Sequence, residues 1–177
     1  VEIVIPDLEA GRIAHSITIT SEMAQAMQAT YDEHHRKHGL DVRVTLALAR
    51  QFTATDYIAA QRVRTRMIQH FKNALRQADV IVTPTTGIAA PKIKEGVLPD
   101  GESDLTTTIE IMRFATAANL TGLPAISIPV GYTQKGLPIG FQIIGRPWDE
   151  STLFRLALAA EQVVERRPPQ VFYRFLH

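Results

Sequence analysis

Cysteine is absent from the 177 residues. That excludes disulfides, thiolate metal sites and a cysteine nucleophile, and it favours an intracellular setting over a small secreted scaffold. No run approaches the roughly 18 apolar residues that a membrane-spanning helix needs. No signal-peptide pattern is present, and the chain opens on Val1 rather than Met, which reads as a natural start lying upstream. An excess of one charge is missing too: 19 Lys and Arg stand against 18 Asp and Glu, a net of +1. Such a balance gives no sign of a nucleic-acid surface. A Gly- and Ser-rich run is also lacking, the serines being Ser16, Ser21, Ser103, Ser127 and Ser151, none beside another.

What remains is ordinary globular material, 45% hydrophobic and 21% charged, of a length to bury one real core. Fourteen of the basic residues are Arg and five are Lys. Arg suits fixed, partly desolvated ion pairs, although compositional bias or surface salt bridges are the expected source of such an excess.

Along the chain, Val1–Ile5 alternates in the manner of a strand and stops at Pro6-Asp7. Ile17-Thr-Ile-Thr20 is β-branched and reads as a short extended piece. Ser21 is then expected to cap a helix carrying Met23, Met27 and Tyr31, stopped at Gly39 with Arg36, Lys37 and His38 at its end. A helix from about Thr45 to Gln51 follows. A longer one starts at Thr55, with Asp56 beside it, and runs to about Gln77. Its stripe is Tyr57, Ala60, Val63, Met67, Ile68, Phe71 and Leu75. Asp79–Val82 reads as a short buried strand leading into Thr83-Pro84. Thr85–Ser103, punctuated by Gly87, Pro91, Gly96, Pro99 and Gly101, reads as a long irregular loop.

A helix over Asp104–Leu120 closing at Gly122, strands over Pro124–Val130 and Ile139–Gly145, and a last helix near Ser151 complete the pattern. That last helix carries Leu153, Leu156, Leu158, Ala160 and Val164, stops at Pro168-Pro169, and leaves an aromatic tail of Phe172, Tyr173 and Phe175. The strand Ala125-Ile-Ser-Ile128 is apolar nearly throughout, as expected of a strand covered on both faces. Pro124 and Pro129 bracket it where a ladder donor is not missed. Gly122 suits a left-handed helix end and Gly136 a turn. Gly140 and Gly145 mark places where another backbone approaches closely. The expected architecture is one α/β unit with helices on both faces of a sheet.

Three segments in this order resemble the C-terminal third of the amidase-signature hydrolases. They are Asp79-Val-Ile-Val-Thr-Pro-Thr-Thr86, Ala118-Asn-Leu-Thr-Gly-Leu-Pro-Ala-Ile-Ser-Ile-Pro-Val-Gly131 and Gly136-Leu-Pro-Ile-Gly-Phe-Gln-Ile-Ile-Gly-Arg-Pro-Trp148. The match is specific from about residue 79 to residue 150. Thr53–Gln61, Thr85–Gly87, Met112–Phe114 and Val1–Pro6 extend it, being similar to plant fatty acid amide hydrolases within that family.

The resemblance implies the C-terminal part of an α/β/α fold with a mixed sheet, residues 1–177 forming a single partial domain. It also implies hydrolysis of carbon–nitrogen bonds by a Ser nucleophile, a bridging cis-Ser and a Lys base, all upstream of the segments matched. No catalytic residue is therefore assigned, no cofactor is implied, and the chain alone is expected to be inactive. A small-molecule amide is the expected substrate of the complete enzyme.

By the same resemblance Thr83, Thr85 and Thr86, at the carboxyl end of a predicted strand, are candidate substrate-binding residues, with turn hydrogen bonding as the alternative for Thr85. Met112 joins them. Glutaminyl amidase subunits carry an acidic residue at the corresponding place, whereas a thioether can pack an acyl chain; helix core is its other reading.

His34 and His38 have the spacing of a metal clip, but the neighbouring Arg36 and Lys37 repel a cation, and a solvated helix end is the expectation. Arg62, Arg64, Arg66 and Lys72 read as a solvated helix face. Trp148 and the tail read either as core or as an interface with a membrane surface or a second copy. Two other readings stay open: a non-catalytic lipid- or partner-binding remnant, and a segment of a glutaminyl amidase.

Overall fold

The computed structural model describes residues 1–97 and 104–167. Its elements run α1 (Leu8–Ala26), α2 (Gln28–His34), a 3-10 turn (His35–Lys37), α3 (Leu40–Ala49), α4 (Ala54–Ala74), β1 (Ile81–Pro84), α5 (Leu105–Met112), α6 (Ala115–Thr121), β2 (Ala125–Tyr132), β3 (Pro138–Ile144) and α7 (Glu150–Glu161). The described strands form one sheet in the order β1-β3-β2, with β3 antiparallel to both neighbours.

Because successive side chains of a strand point to opposite faces, β3 feeds two separate cores. Ile144 packs with Ala14 of α1, Ala60, Met67 and Phe71 of α4 and Leu120 of α6. Ile143 packs with Ile128 of β2 and with Leu153 and Ala157 of α7. Helices therefore cover both faces of the sheet, and the α/β class expected from the sequence is the one observed.

On the first face α1 and α4 lie antiparallel. Tyr57 donates to Glu22 at 2.8 Å, and Gln61 to Thr18 at 2.9 Å. Gly11 sits where a Cβ would come within 3.1 Å of the Met67 side chain. At the far end Asp7, in the left-handed region at φ 59, meets Arg66 at 2.9 Å and His70 at 3.2 Å. Arg64 of α4 reaches the Leu120 carbonyl at 2.7 Å and ties α6 to the pair.

Several sequence expectations are corrected. Val1–Ile5 has no strand partner among the described residues and runs outside any regular element. Ile17–Thr20 and Ser21 lie inside α1, not in an extended piece and a cap. Ile17 packs on the helical core, and Thr20 donates to the Ser16 carbonyl at 2.7 Å, so tertiary packing and local hydroxyl bonding override β-propensity. The Met23–Tyr31 helix is interrupted at Met27 (φ −94). Gly39 does not stop a helix; it is the N-cap of α3, which begins earlier than Thr45 and ends at Ala49.

The cap of α4 is Thr53 rather than Thr55. Its hydroxyl accepts from the Asp56 N–H at 3.2 Å, while Asp56 accepts from the Thr53 N–H at 2.8 Å, a reciprocal capping box. The single helix expected over Asp104–Leu120 is two, broken at Arg113 and Phe114. Val82 of β1 is 52% exposed and β2 buries only Ile128, so neither strand is covered on both faces. On α7, Leu158 points outward with Phe154, while Leu153 and Ala157 face the sheet. Pro99, Gly101, Pro168, Pro169 and the tail of Phe172, Tyr173 and Phe175 lie outside the described residues.

Met67 is completely buried. Met67→Ala is expected to lower stability by about 2–5 kcal/mol, and Thr53→Ala, which removes the capping box, by about 1 kcal/mol; urea unfolding of the chain and both variants checks the ranking. His15 is buried on α1, and that burial holds its pKa below the ordinary imidazole value. The folded state then binds fewer protons than the unfolded chain below about pH 6.5. Stability should be full above that pH and fall as the pH drops through it. Comparing Tm at about pH 8 and about pH 5.5 should show this loss, and His15→Gln should shrink it.

Candidate functional site

Both strands that flank β3 present polar side chains on one stretch of the sheet face covered by α6. In the cross-strand register Thr83, Gln142 and Ser127 stand side by side. Gln142 is buried in the middle of an otherwise apolar strand, so its carboxamide must be satisfied internally. Its Nε2 donates to Thr83 Oγ1 at 2.9 Å and to the Phe114 carbonyl at 3.0 Å. The second bond explains the helix break: where α5 gives way to α6, a backbone carbonyl leaves the helical ladder and Gln142 takes it up.

One step further along the strands the Thr85 N–H donates to the Gly140 carbonyl at 3.0 Å, and the Thr85 and Ser127 hydroxyls lie 2.6 Å apart. They meet across Gly140. A Cβ there would come within 2.6 Å of Thr85 Oγ1 and 2.8 Å of Thr85 Cβ. The approach is by side chains, not by the backbone that the sequence suggests, and at Gly145 the neighbour is likewise a side chain, that of Leu153. Thr86 donates to the Ile88 carbonyl at 2.8 Å, a local turn contact. The Gly87 N–H donates to the Glu110 carbonyl at 3.0 Å, with no room for a side chain between them, which docks the loop on the end of α5.

These contacts floor a cavity of about 450 Å³ whose lining includes Thr85, Thr86 and Ser127 with Ile88, Ile111 and Pro129. The four residues named from the sequence are not brought together. Thr85 and Thr86 share this cavity, while Thr83 faces a neighbouring one of about 620 Å³. Met112, the last residue of α5, is half-buried and lines neither; Ile111 lines the cavity in its place. Ser127 and Gly140 line this cavity and Gln142 holds Thr83 beside it, three contacts that sequence reasoning misses. A glutamine inside the run Ile139–Ile144 is the available signal, since a polar group in a buried strand needs partners.

Three of the described serines hydrogen-bond through their hydroxyls, and in none of these contacts is the partner a Lys or a His. Ser16 donates to the Arg12 carbonyl at 3.2 Å, Ser127 meets Thr85, and Ser151 donates to Asp149 at 3.3 Å. Asp104, whose carboxylate accepts the N–H and hydroxyl of Thr107, is held below the ordinary carboxylate pKa by those bonds and by Lys94, and it serves as the cap of α5. His34 ends α2, whereas His38 follows the 3-10 turn in extended backbone, so the two do not share a helical face. Among the described residues no group of three His, Asp or Glu is placed to hold a metal.

Gly140→Ala is expected to separate the two hydroxyls and cost about 1–3 kcal/mol through overpacking. Gln142→Leu should cost a similar amount, about 1–3 kcal/mol, by orphaning the Phe114 carbonyl. Urea unfolding measures both, and an amide-proton shift confined to residues near Ser127 for the first variant, and near Phe114 for the second, distinguishes local loss from general loosening.

A family model described as Amidase matches residues 7–154. The chain is 46% identical over 179 aligned residues to the fatty acid amide hydrolase of Medicago truncatula, an alignment covering 99% of this chain and 30% of that protein. It is 39% identical over 118 residues to a glutamyl-tRNA(Gln) amidotransferase subunit of Myxococcus xanthus, covering 67% of this chain and 23% of that one. A crystal structure of an amidase superposes with a TM-score of 0.79 at 22% identity, over 93% of this chain and 37% of that one. The chain thus spans about 30% of the length of the fatty acid amide hydrolase it matches. By the family match and the identity together, it belongs to the amidase family.

Proposed function

We propose that this chain is the C-terminal scaffold and substrate-pocket segment of an amidase that hydrolyses carbon–nitrogen bonds of amides, fatty acyl amides foremost, with the nucleophile and base supplied by polypeptide outside it. The observation that carries the reading is 46% identity to a plant fatty acid amide hydrolase over nearly the whole chain, set beside coverage of only 30% of that relative. The sequence alignment to the amidotransferase subunit covers 67% of the chain at 39% identity, against 99% at 46% for the fatty acid amide hydrolase, which favours the acyl-amide reading over a glutaminyl one.

The cavity chemistry is compatible with this role. Ile88, Ile111 and Pro129 offer apolar wall, and Thr85, Thr86 and Ser127 offer hydroxyls to an amide head. A hydroxyl attacks a carbonyl only when a base takes its proton and donors await the oxyanion. Ser127 has another hydroxyl as its partner, so it acts here as a binding and positioning group. Thr83 supports this floor from the neighbouring row through Gln142, which bonds it, and Met112 stands on α5 beside Ile111, which lines the cavity.

Two measurements test the reading. The intact mass of the polypeptide in its source should greatly exceed 19.7 kDa, and the purified 177-residue chain should show no hydrolysis of a long-chain primary amide. Robust turnover by the isolated chain would overturn the assignment of the catalytic groups elsewhere. A native mass near 19.7 kDa without turnover would favour a non-catalytic amide- or lipid-binding protein.

A further inference from the structure

Neither cavity described so far calls for an anion. That of about 450 Å³ has no charged residue in its lining, and in that of about 620 Å³ each guanidinium is paired within its own helix, Arg12 with Glu9 and Arg113 with Glu110 at 2.8 Å. A further cavity, of about 430 Å³, lies between the end of α4, the approach to β2 and the chain leaving β3. Ile68, Leu75 and Leu123 give it an apolar floor. Lys72, Arg76 and Arg146 stand around it, and its lining holds no carboxylate.

The three cations are not equivalent. Arg146 is engaged, donating to the Leu75 and Ala78 carbonyls at 3.2 and 3.3 Å and to the Asp79 carboxylate at 3.1 Å. Lys72 and Arg76 are exposed, and their side chains have no hydrogen bond or ion pair with a described residue. The usual duty of cations at the C-terminal end of a helix is to meet its unpaired carbonyls. Here that duty is already met: the Phe71, Asn73 and Ala74 carbonyls accept the N–H groups of Leu75, Arg76 and Gln77, and Arg146 takes the Leu75 carbonyl. Like charges four residues apart across a helical turn repel, so an anion seated between Lys72 and Arg76 relieves a cost that the described residues leave in place.

We propose that this cavity binds a long-chain carboxylate, its headgroup held between Lys72 and Arg76 and its chain laid on Ile68, Leu75 and Leu123. A guanidinium grips a carboxylate with two parallel bonds while an ammonium adds a point charge. The apolar floor stabilises only a ligand that brings methylenes to it, which a bare inorganic anion does not. The site is separate from the candidate substrate cavity. Gly140, near the start of β3, lines that one and Arg146, just beyond the end of β3, lines this one, a separation of about 20 Å along the strand. Hydrolysis of an acyl amide consumes water and releases this class of anion together with an ammonium, so in the complete amidase the ligand is the reaction's own product. That identity rests on the amidase reading proposed above; the binding does not.

The test titrates the 177-residue chain with laurate, acetate and lauramide and follows its amide protons. Laurate should bind saturably and shift Leu75, Thr121 and Leu123, whereas acetate, an anion without a chain, should not. Combining Lys72→Gln with Arg76→Gln should weaken laurate binding by about tenfold or more. Arg62→Gln, about 15 Å away along α4, should leave it unchanged. The proposal is overturned by laurate that does not saturate, that shifts Thr85 and Ser127 instead, that binds the double variant as tightly as the parent, or that acetate matches. Lauramide, the neutral counterpart, should shift Thr85 and Ser127 in parent and double variant alike. Its failure there with laurate binding intact would count against the substrate cavity alone, and the reverse result would sink only the carboxylate site.

Discussion

Ile143 and Ile144 are neighbours on β3 yet belong to different cores, and the rest of the fold depends on that alternation. A slip of one residue in the pairing would exchange the two faces, carrying Ile144 toward α7 and Gln142 out of reach of Phe114. The register is held at both ends. Gly145 allows Leu153 to approach to where a Cβ would stand 3.1 Å away, and Gly140 admits Thr85 and Ser127 at the other end. Beyond β3, Arg146 reaches the Leu75 and Ala78 carbonyls at 3.2 and 3.3 Å and the Asp79 carboxylate at 3.1 Å. One guanidinium thereby joins the end of β3 to the closing turn of α4 and the approach to β1, drawing its energy from carbonyls that a helix end leaves unpaired.

The elements legible in the sequence are those whose signals are local. The stripe of α4, the hairpin of β2 and β3 and the left-handed end of α6 at Gly122 (φ 74) follow from periodicity and from glycine's freedom. Elements misread are those decided at a distance. Ile17–Thr20 has the composition of a strand, but α4 offers it a helical groove, Gln61 meeting Thr18 and Val63 joining the same core as Ile17. Val1–Ile5 is the reverse case: its pattern is a strand's, and the described residues supply no partner for it. The placement of a cap two residues late on α4 reflects a choice between Thr53 and Thr55 that only the reciprocal bond with Asp56 decides.

The site is legible in part and for a specific reason. A threonine at a strand end is an easy candidate, and Thr85 and Thr86 do share a cavity. What the sequence does not reveal is which hydroxyls face each other across three strands, because that depends on register. Ser127 is 42 residues from Thr85 and becomes its partner only once Gly140 lies between them. Met112 is a candidate from the resemblance alone; it and Ile111 are adjacent on α5, and it is Ile111 that lines the cavity.

The break between α5 and α6 also shows why polar chemistry is concentrated at this end of the sheet. Successive rows across the three strands on the α6 side are Ile81, Ile144 and Ala125, then Thr83, Gln142 and Ser127, then Gly140 beside Pro129 with Thr85 bonded to its carbonyl. In the first row Ile144 and Ile81 are core beneath α1, α4 and α6, while Ala125 at the start of β2 is exposed. The second lies where α6 has ended toward its N-terminus and a bare carbonyl must be met, so a carboxamide with donors on one nitrogen is better matched than any apolar residue. The third has no helix to satisfy, and its one hydroxyl, that of Thr85, meets the Ser127 hydroxyl of the second row at the floor of an open cavity. The gradient from apolar to bridged to open is thus set by how far each helix reaches along the strands. A ligand entering that cavity would meet the Ser127 hydroxyl on β2 and those of Thr85 and Thr86 on the bend after β1, with the Thr85–Ser127 spacing set by the bond between them.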